Sequence, residues 1–139
     1  MIVWTKEFET GSAKLDDQHR TLIDNINLLE DLAVTAKASP KEREIAVSLV
    51  VYLEAYANLH FQVEEQCMES YRCPVHALNQ WEHERFRQFI QDYKREYELN
   101  GFSAERLQSL HQVMSKWIQE HILRIDTQLK PCLAKQAAA

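Results

Sequence analysis

His60 and Glu64 are four residues apart in the stretch His60-Phe61-Gln62-Val63-Glu64-Glu65-Gln66-Cys67-Met68. On a helix that spacing stacks both side chains on one face, one turn apart. An imidazole beside a carboxylate is half of a site for iron, manganese or zinc. The pair alone also has a plainer reading, in which a buried His and Glu satisfy each other by hydrogen bond. His19, His83, His121 and Asp126 change that balance, because they fall on three other apolar-periodic segments, His121 and Asp126 both late in the last. Four imidazoles and two carboxylates exceed what a tetrahedral zinc takes. The count argues for two metals, with carboxylates bridging and histidines capping each end.

Such a layer needs helices to position it. Only two glycines and three prolines occur in 139 residues, and apolar positions recur every three or four. That pattern predicts an all-α fold with one core. Residues 1–11 read as an arm anchored by Trp4 and Phe8, and Ser12 as an N-cap. The first helix is expected from Ser12 to about Lys37, with Leu15, His19, Leu22, Ile23, Ile26, Leu29 and Leu32 on its apolar face. Ser39-Pro40-Lys41-Glu42 reads as a capping box opening a second helix that runs to about Ser70. Cys73-Pro74 starts a third, to about Leu99, with Leu78, His83, Phe86, Phe89, Ile90 and Tyr93 inward. Asn100-Gly101 stops it. Ser103 caps a fourth from Ala104 to Gln128, with Leu107, Leu110, Met114, Trp117, Ile118, His121 and Ile125 inward, and Pro131 is expected to end it. Four long helices with short connections imply an antiparallel up-down-up-down four-helix bundle with an N-terminal arm. Early in the first helix, late in the second, early to middle in the third and late in the fourth then fall at one end, where the six groups can converge.

His121 and Asp126 are five apart, about 140° around a regular helix. Two ligands for one metal pair need a smaller angle, so a π-type turn or similar irregularity is expected between them. A ferritin-like site would need Glu-x-x-His on two helices, and the chain contains none.

Asp16-Asp17-Gln18-His19, His60-Phe61-Gln62-Val63-Glu64-Glu65, Glu82-His83 followed by Phe86, and Trp117-Ile118-Gln119-Glu120-His121-Ile122 with Asp126 resemble the bacterial hemerythrin family. The four motifs occur in order over nearly the whole chain. The resemblance implies a non-haem di-iron site that binds O2: two iron ions (Fe2+/Fe3+) with an oxo or hydroxo bridge. It implies His19 and His60 on one iron, His83 and His121 on the other, Glu64 and Asp126 bridging, and Trp117 and Ile118 lining the O2 pocket. One departure stands out. The family's helix carries His-x-x-x-His where this chain has Asn79 before His83. The second iron is then expected to have a weak amide ligand or an open position. His76, seven before His83, shares the face but lies about 10 Å further along the axis.

The resemblance divides the chain into a hemerythrin-like di-iron domain, residues 1–132, and a tail or linker, 133–139. It implies an O2 or redox sensor module of a larger signalling protein, with an output domain attached and no enzyme activity in this domain. The alternatives are a stand-alone oxygen carrier or store, a di-iron peroxidase or oxidase, and a metal-free interaction bundle. NO, peroxide and small anions are further candidate ligands. A net charge of −5 argues against nucleic acid or an anionic membrane as partner. No run is long and apolar enough to span a bilayer, and the N-terminus is not a signal peptide, so a cytoplasmic location is expected. Cys67, Cys73 and Cys132 fit neither a disulfide framework nor a four-cysteine zinc site. Cys67 reads as a small core residue, His111 as an edge histidine, and Glu65 and Glu82 as solvated groups or partners for a histidine N–H.

Overall fold

In the computed structural model, residues 1–36 and 39–138 are described, with side chains through Lys135. A short 3-10 turn, Lys6–Phe8, precedes four long helices: α1 (Ala13–Thr35), α2 (Pro40–Ser70), α3 (His76–Asn100) and α4 (Ala104–Arg124). A second 3-10 turn, Asp126–Gln128, leads into α5 (Leu129–Ala138). Each long helix packs mainly on its neighbours in sequence, and α1 closes the ring against α4. The protein is a four-helix bundle with an N-terminal arm.

The arm is fastened at three points. Ile2 N–H donates to Asn27 Oδ1 and Asn27 Nδ2 donates back to Ile2 O, both at 2.8 Å. Phe8 is buried, and Trp4 lies beside it with Arg20 over its ring. Buried Asp16 accepts from both the Thr10 N–H (2.9 Å) and the Thr10 hydroxyl (2.8 Å). Ser12 caps α1 through Leu15 N–H. Gly101 takes φ +75 past the end of α3, as the Asn-Gly stop requires.

Several expectations are corrected. Ser39 precedes α2 without a side-chain cap bond, so the capping box is not formed, although Pro40 does start the helix. Leu78 is 44% exposed, and its expected inward place belongs to Asn79, Glu82 and His83. Pro131 does not end a helix; it is the third residue of α5, where a helix has no N–H partner to lose. The fourth helix stops earlier than expected, at Arg124. Cys73 and Cys132 are joined as a disulfide with their Cα atoms 5.8 Å apart, leaving Cys67 free. The irregular spacing hid the pairing because it joins the turn after α2 to a helix 59 residues later. The first helix's expected end at Lys37 lies outside the described residues.

The core is divided in two. The larger part runs along all four helices and includes Leu22, Phe61 and Ile122; the smaller contains Leu15, Met68, Cys73, Ile125 and Leu129. Between them lie His19, Glu64 and His121 on the same helices and Asp126 in the 3-10 turn after α4. A polar layer separates two apolar ones.

Candidate metal centre

Each helix brings its share of this layer for a local reason. His19 is one turn after Leu15 on the buried face of α1, and His60 and Glu64 are one turn apart on that of α2. His83 and His121 come from α3 and α4. Asp126 needs the break. Ile125 caps α4 at φ −107 and ψ −58, its N–H still bonded to His121 O, and the backbone tightens into the 3-10 turn that carries Asp126. The expected irregularity is present, as a helix end and a tighter turn rather than a π-bulge. All six side chains are at most 1% exposed.

Donor atoms form two groups, His19, His60, Glu64 and Asp126, and Glu64, His83, His121 and Asp126; within each, the atoms lie within 4.8 Å of one another. Both carboxylates belong to both groups and divide their oxygens between them. Glu64 Oε2 is 3.0 Å from His19 Nε2 and 3.1 Å from His60 Nε2, while Oε1 is 3.0 Å from His83 Nε2. Asp126 Oδ2 is 3.1 Å from His19 Nε2 and Oδ1 is 3.0 Å from His121 Nε2.

The outer ring atoms decide what the inner ones can do. His60 Nδ1 is 2.7 Å from Gln18 Oε1, and His83 Nδ1 is 2.8 Å from a Glu65 carboxylate oxygen. Both partner oxygens only accept, so both Nδ1 atoms carry protons, and in a neutral ring so oriented it is the Nε2 lone pair that faces inward. There they meet the carboxylate oxygens of Glu64, and His83 Nε2 also meets His121 Nε2 at 3.2 Å. Acceptor facing acceptor at these distances is repulsive unless positive charge lies between. Among the described residues neither Asp126 oxygen has a hydrogen-bond partner, despite two imidazole nitrogens at ion-pair distance. A donor set of this kind, buried, convergent and short of cations, fits a pair of metal ions.

Without metal, protons supply the charge. Burial works to lower the pKa of His19, but Asp126 and Glu64 beside it prevail and raise it to about 9. Burial likewise opposes charge on His121, and Asp126 and Glu64 raise it to about 10. For His60, burial prevails and the value falls. Burial would raise Glu64, yet the surrounding histidines, His60 foremost, hold it well below the carboxylate range. The His83 hydrogen bond lowers Glu65.

The other expected residues are placed as follows. Asn79 is fully buried one turn before His83, and both its amide oxygen and its amide nitrogen lack partners among the described residues. His76 is half-buried at the first residue of α3 and belongs to neither donor group. Trp117 stacks on the His121 ring at 4.3 Å and 10°, as Phe61 does on His83 at 3.8 Å and 11°. Ile118 is buried beside Trp117. His111 is half-buried, with Glu30 3.9 Å away. Glu82 is buried, paired with Arg124, and 3.9 Å from His121 Nδ1. Sequence reasoning missed Gln18 and Asp16. The signal was the polar run Asp16-Asp17-Gln18-His19, in which Asp16 precedes His19 by one turn on a buried face.

The hemerythrin HHE cation-binding domain profile matches residues 10–133. The chain belongs to this family. Among hemerythrin relatives, it is 30% identical to a bacteriohemerythrin of Methylococcus capsulatus over 96% of this chain and 98% of that protein. A bacteriohemerythrin of Clostridium acetobutylicum is 29% identical over 91% and 96% of the two chains. A crystal structure of a hemerythrin mutant superposes with a TM-score of 0.82 at 27% identity, covering 96% of this chain and 98% of that one. The hemerythrin fold thus carries the donor layer described above. No helix among the described residues is long and apolar enough to cross a membrane.

Proposed function

We propose that this hemerythrin chain holds two iron ions between its helices and binds O2 there reversibly, serving as an oxygen or redox sensor. The observation that carries the reading is the inward-facing set of lone pairs fixed by Gln18 and Glu65, opposite carboxylates that each reach both donor groups. His19 and His60 would hold one iron and His83 and His121 the other, with the Glu64 and Asp126 carboxylates shared between them. Reduced iron supplies the electrons that O2 binding draws on. The protein's part is to fix the donors, to keep bulk water out with Trp117, Phe61 and Ile118, and to leave one position free.

That free position is the argument for sensing. Asn79 stands where a third imidazole would face the second iron, and its unpartnered amide is costly to bury, by about 1–3 kcal/mol per lost group. An amide oxygen is a weaker iron ligand than imidazole. Water or a small anion can therefore compete at that iron, so the protein oxidises readily. The domain occupies residues 1–132, and an output domain would attach beyond it. The carrier reading has its own support: the match covers 98% of the Methylococcus bacteriohemerythrin, so that relative is little more than this domain.

Metal analysis of purified protein tests the centre, with about two irons per chain expected. Glu64→Ala should lower the count, and full occupancy in that variant overturns the bridging role. Stopped-flow mixing of the reduced protein with O2 separates sensor from carrier. The absorbance that appears should fade quickly in the natural chain and more slowly in Asn79→His. Equally slow fading in both favours the carrier.

A further inference from the structure

We propose that the Cys73–Cys132 disulfide is a thiol–disulfide switch that sets how firmly Asp126 is held. Its effect on the metal rests on the function proposed above; its effect on α5 does not.

Asp126 is the one carboxylate of the layer that no long helix carries. It sits in the turn between α4 and α5, and its position depends on how that segment is pinned. Ile125 before it and Leu129 after it are buried in the small apolar cluster with Leu15, Met68 and Cys73. Leu15 is one turn from His19 and Met68 one turn from Glu64, so this cluster lies directly against the polar layer. Cys132 joins α5 covalently to the same cluster through Cys73. Beyond Leu129, α5 is anchored without a covalent bond by Leu133, half-buried against the same cluster, and by Lys130 and Leu133 beside the Gly11 turn.

The Cys73 end is held rigidly. The Arg72 N–H donates to Glu69 O and the Cys73 N–H to Met68 O, the paired bonds that close a helix C-terminus, with Arg72 left-handed at φ 52. Cys73 is 4% exposed. The Cys132 end is open. Its half-buried sulfur borders a surface groove of about 500 Å³ shared with Arg72, Pro131 and Lys135. Two cations beside an accessible sulfur draw in an anionic thiolate.

The step balances as ordinary exchange with a small dithiol. One reagent thiolate attacks the Cys132 sulfur, the bond to Cys73 breaks, and its electron pair leaves on Cys73, which takes a proton from water. The second reagent thiol then displaces Cys132. The disulfide is reduced to two thiols and the dithiol is oxidised to a disulfide; closing runs the exchange in reverse from an oxidised dithiol. Opened, α5 is left with the noncovalent packing of Leu129 and Leu133 and the Gly11 contact, and Asp126 loses its covalent pin.

The experiment is hydrogen exchange on the full chain, oxidised and after dithiothreitol, with Cys132→Ser alongside. Thiol counting should give one free thiol before reduction and three after. Exchange should quicken in residues 126–138 while α1 to α4 stay protected. In iron-loaded protein, loss of iron to a chelator should rise roughly tenfold, the scale of lost support to a ligand. Cys67→Ser should behave as the natural chain. Three free thiols in fully oxidised protein, unchanged exchange after reduction, or loosening spread evenly over all helices would each overturn the switch. Protein that binds no iron in any state refutes the proposed function instead, and leaves the exchange comparison to decide the clasp.

Discussion

Glu65 and Gln18 touch no candidate metal position, yet each decides which nitrogen of a histidine faces the centre. Glu65→Gln keeps an acceptor for His83 Nδ1 but removes its charge, and Gln18→Ala removes the acceptor of His60 altogether. Both should weaken iron binding, by about 10- to 100-fold for the full loss, as read by competition with a chelator. Unchanged affinity in Gln18→Ala would remove the tautomer argument for His60. The buried histidines also predict a pH signature of the metal-free protein. His19 and His121 are raised from 6.5 to about 9 and about 10. Stability that depends on a raised pKa is complete below the unfolded value and is lost as pH climbs through the folded one. The melting temperature of stripped protein should therefore fall steadily from about pH 6.5 to 10. Iron-loaded protein, whose imidazoles carry metal in place of those protons, should show little of this slope. The two curves, measured by circular dichroism, should separate progressively with pH.

At the scale of elements, what the sequence made legible was periodic, and what it hid was an interruption. Spacing of three and four placed α1 to α4 and their inward histidines, because a helix repeats its burial every turn. Leu78 was misplaced because a buried polar face outranked it: Asn79, Glu82 and His83 take the inner side of α3, and apolar Leu78 is left at the rim. The ending of α4 was legible only through chemistry, since the His121–Asp126 spacing demanded a break that no glycine or proline marks. Its form, and α5 beyond it, depend on Ile125, Leu129 and Cys132 packing against distant Leu15, Met68 and Cys73. Arg72 is a similar hidden feature: a helix end normally glycine is held here by a residue with a side chain at φ 52. Left-handed backbone costs an ordinary residue about 1–2 kcal/mol, and glycine loses about 0.5–1 kcal/mol in unfolded-chain freedom. Arg72→Gly should thus raise stability by about 0.5–1 kcal/mol, seen as a small rise in the denaturant midpoint with unchanged slope. A drop would mean that the Arg72 side chain makes a contact worth more than the strain.

Taken as a whole, the molecule is a bundle whose core is cut by a charged layer, and that cut has a thermodynamic consequence. Every long helix contributes a donor, and the turn after α4 contributes Asp126, so two ions would cross-link all the helices at one level. Without them, two carboxylates and inward lone pairs are buried against each other with only borrowed protons between. The larger apolar cluster, running along all four helices, is untouched by this. Metal removal should therefore loosen the layer without unfolding the chain: helical circular dichroism should persist while the melting temperature falls. Ligand present at a thousand times its dissociation constant adds about 4 kcal/mol per site. For a chain of this size about 1 kcal/mol moves the midpoint by roughly 2–8 °C. Chelator-stripped protein should then melt more than about 10 °C below iron-loaded protein, and adding Fe(II) under nitrogen should restore the difference. The increment should shrink in Glu64→Ala, which removes a donor from both groups, and survive in His111→Ala, which removes none. If stripped and loaded protein melt at the same temperature, the layer does not hold metal and the bundle must satisfy its buried charge with protons alone.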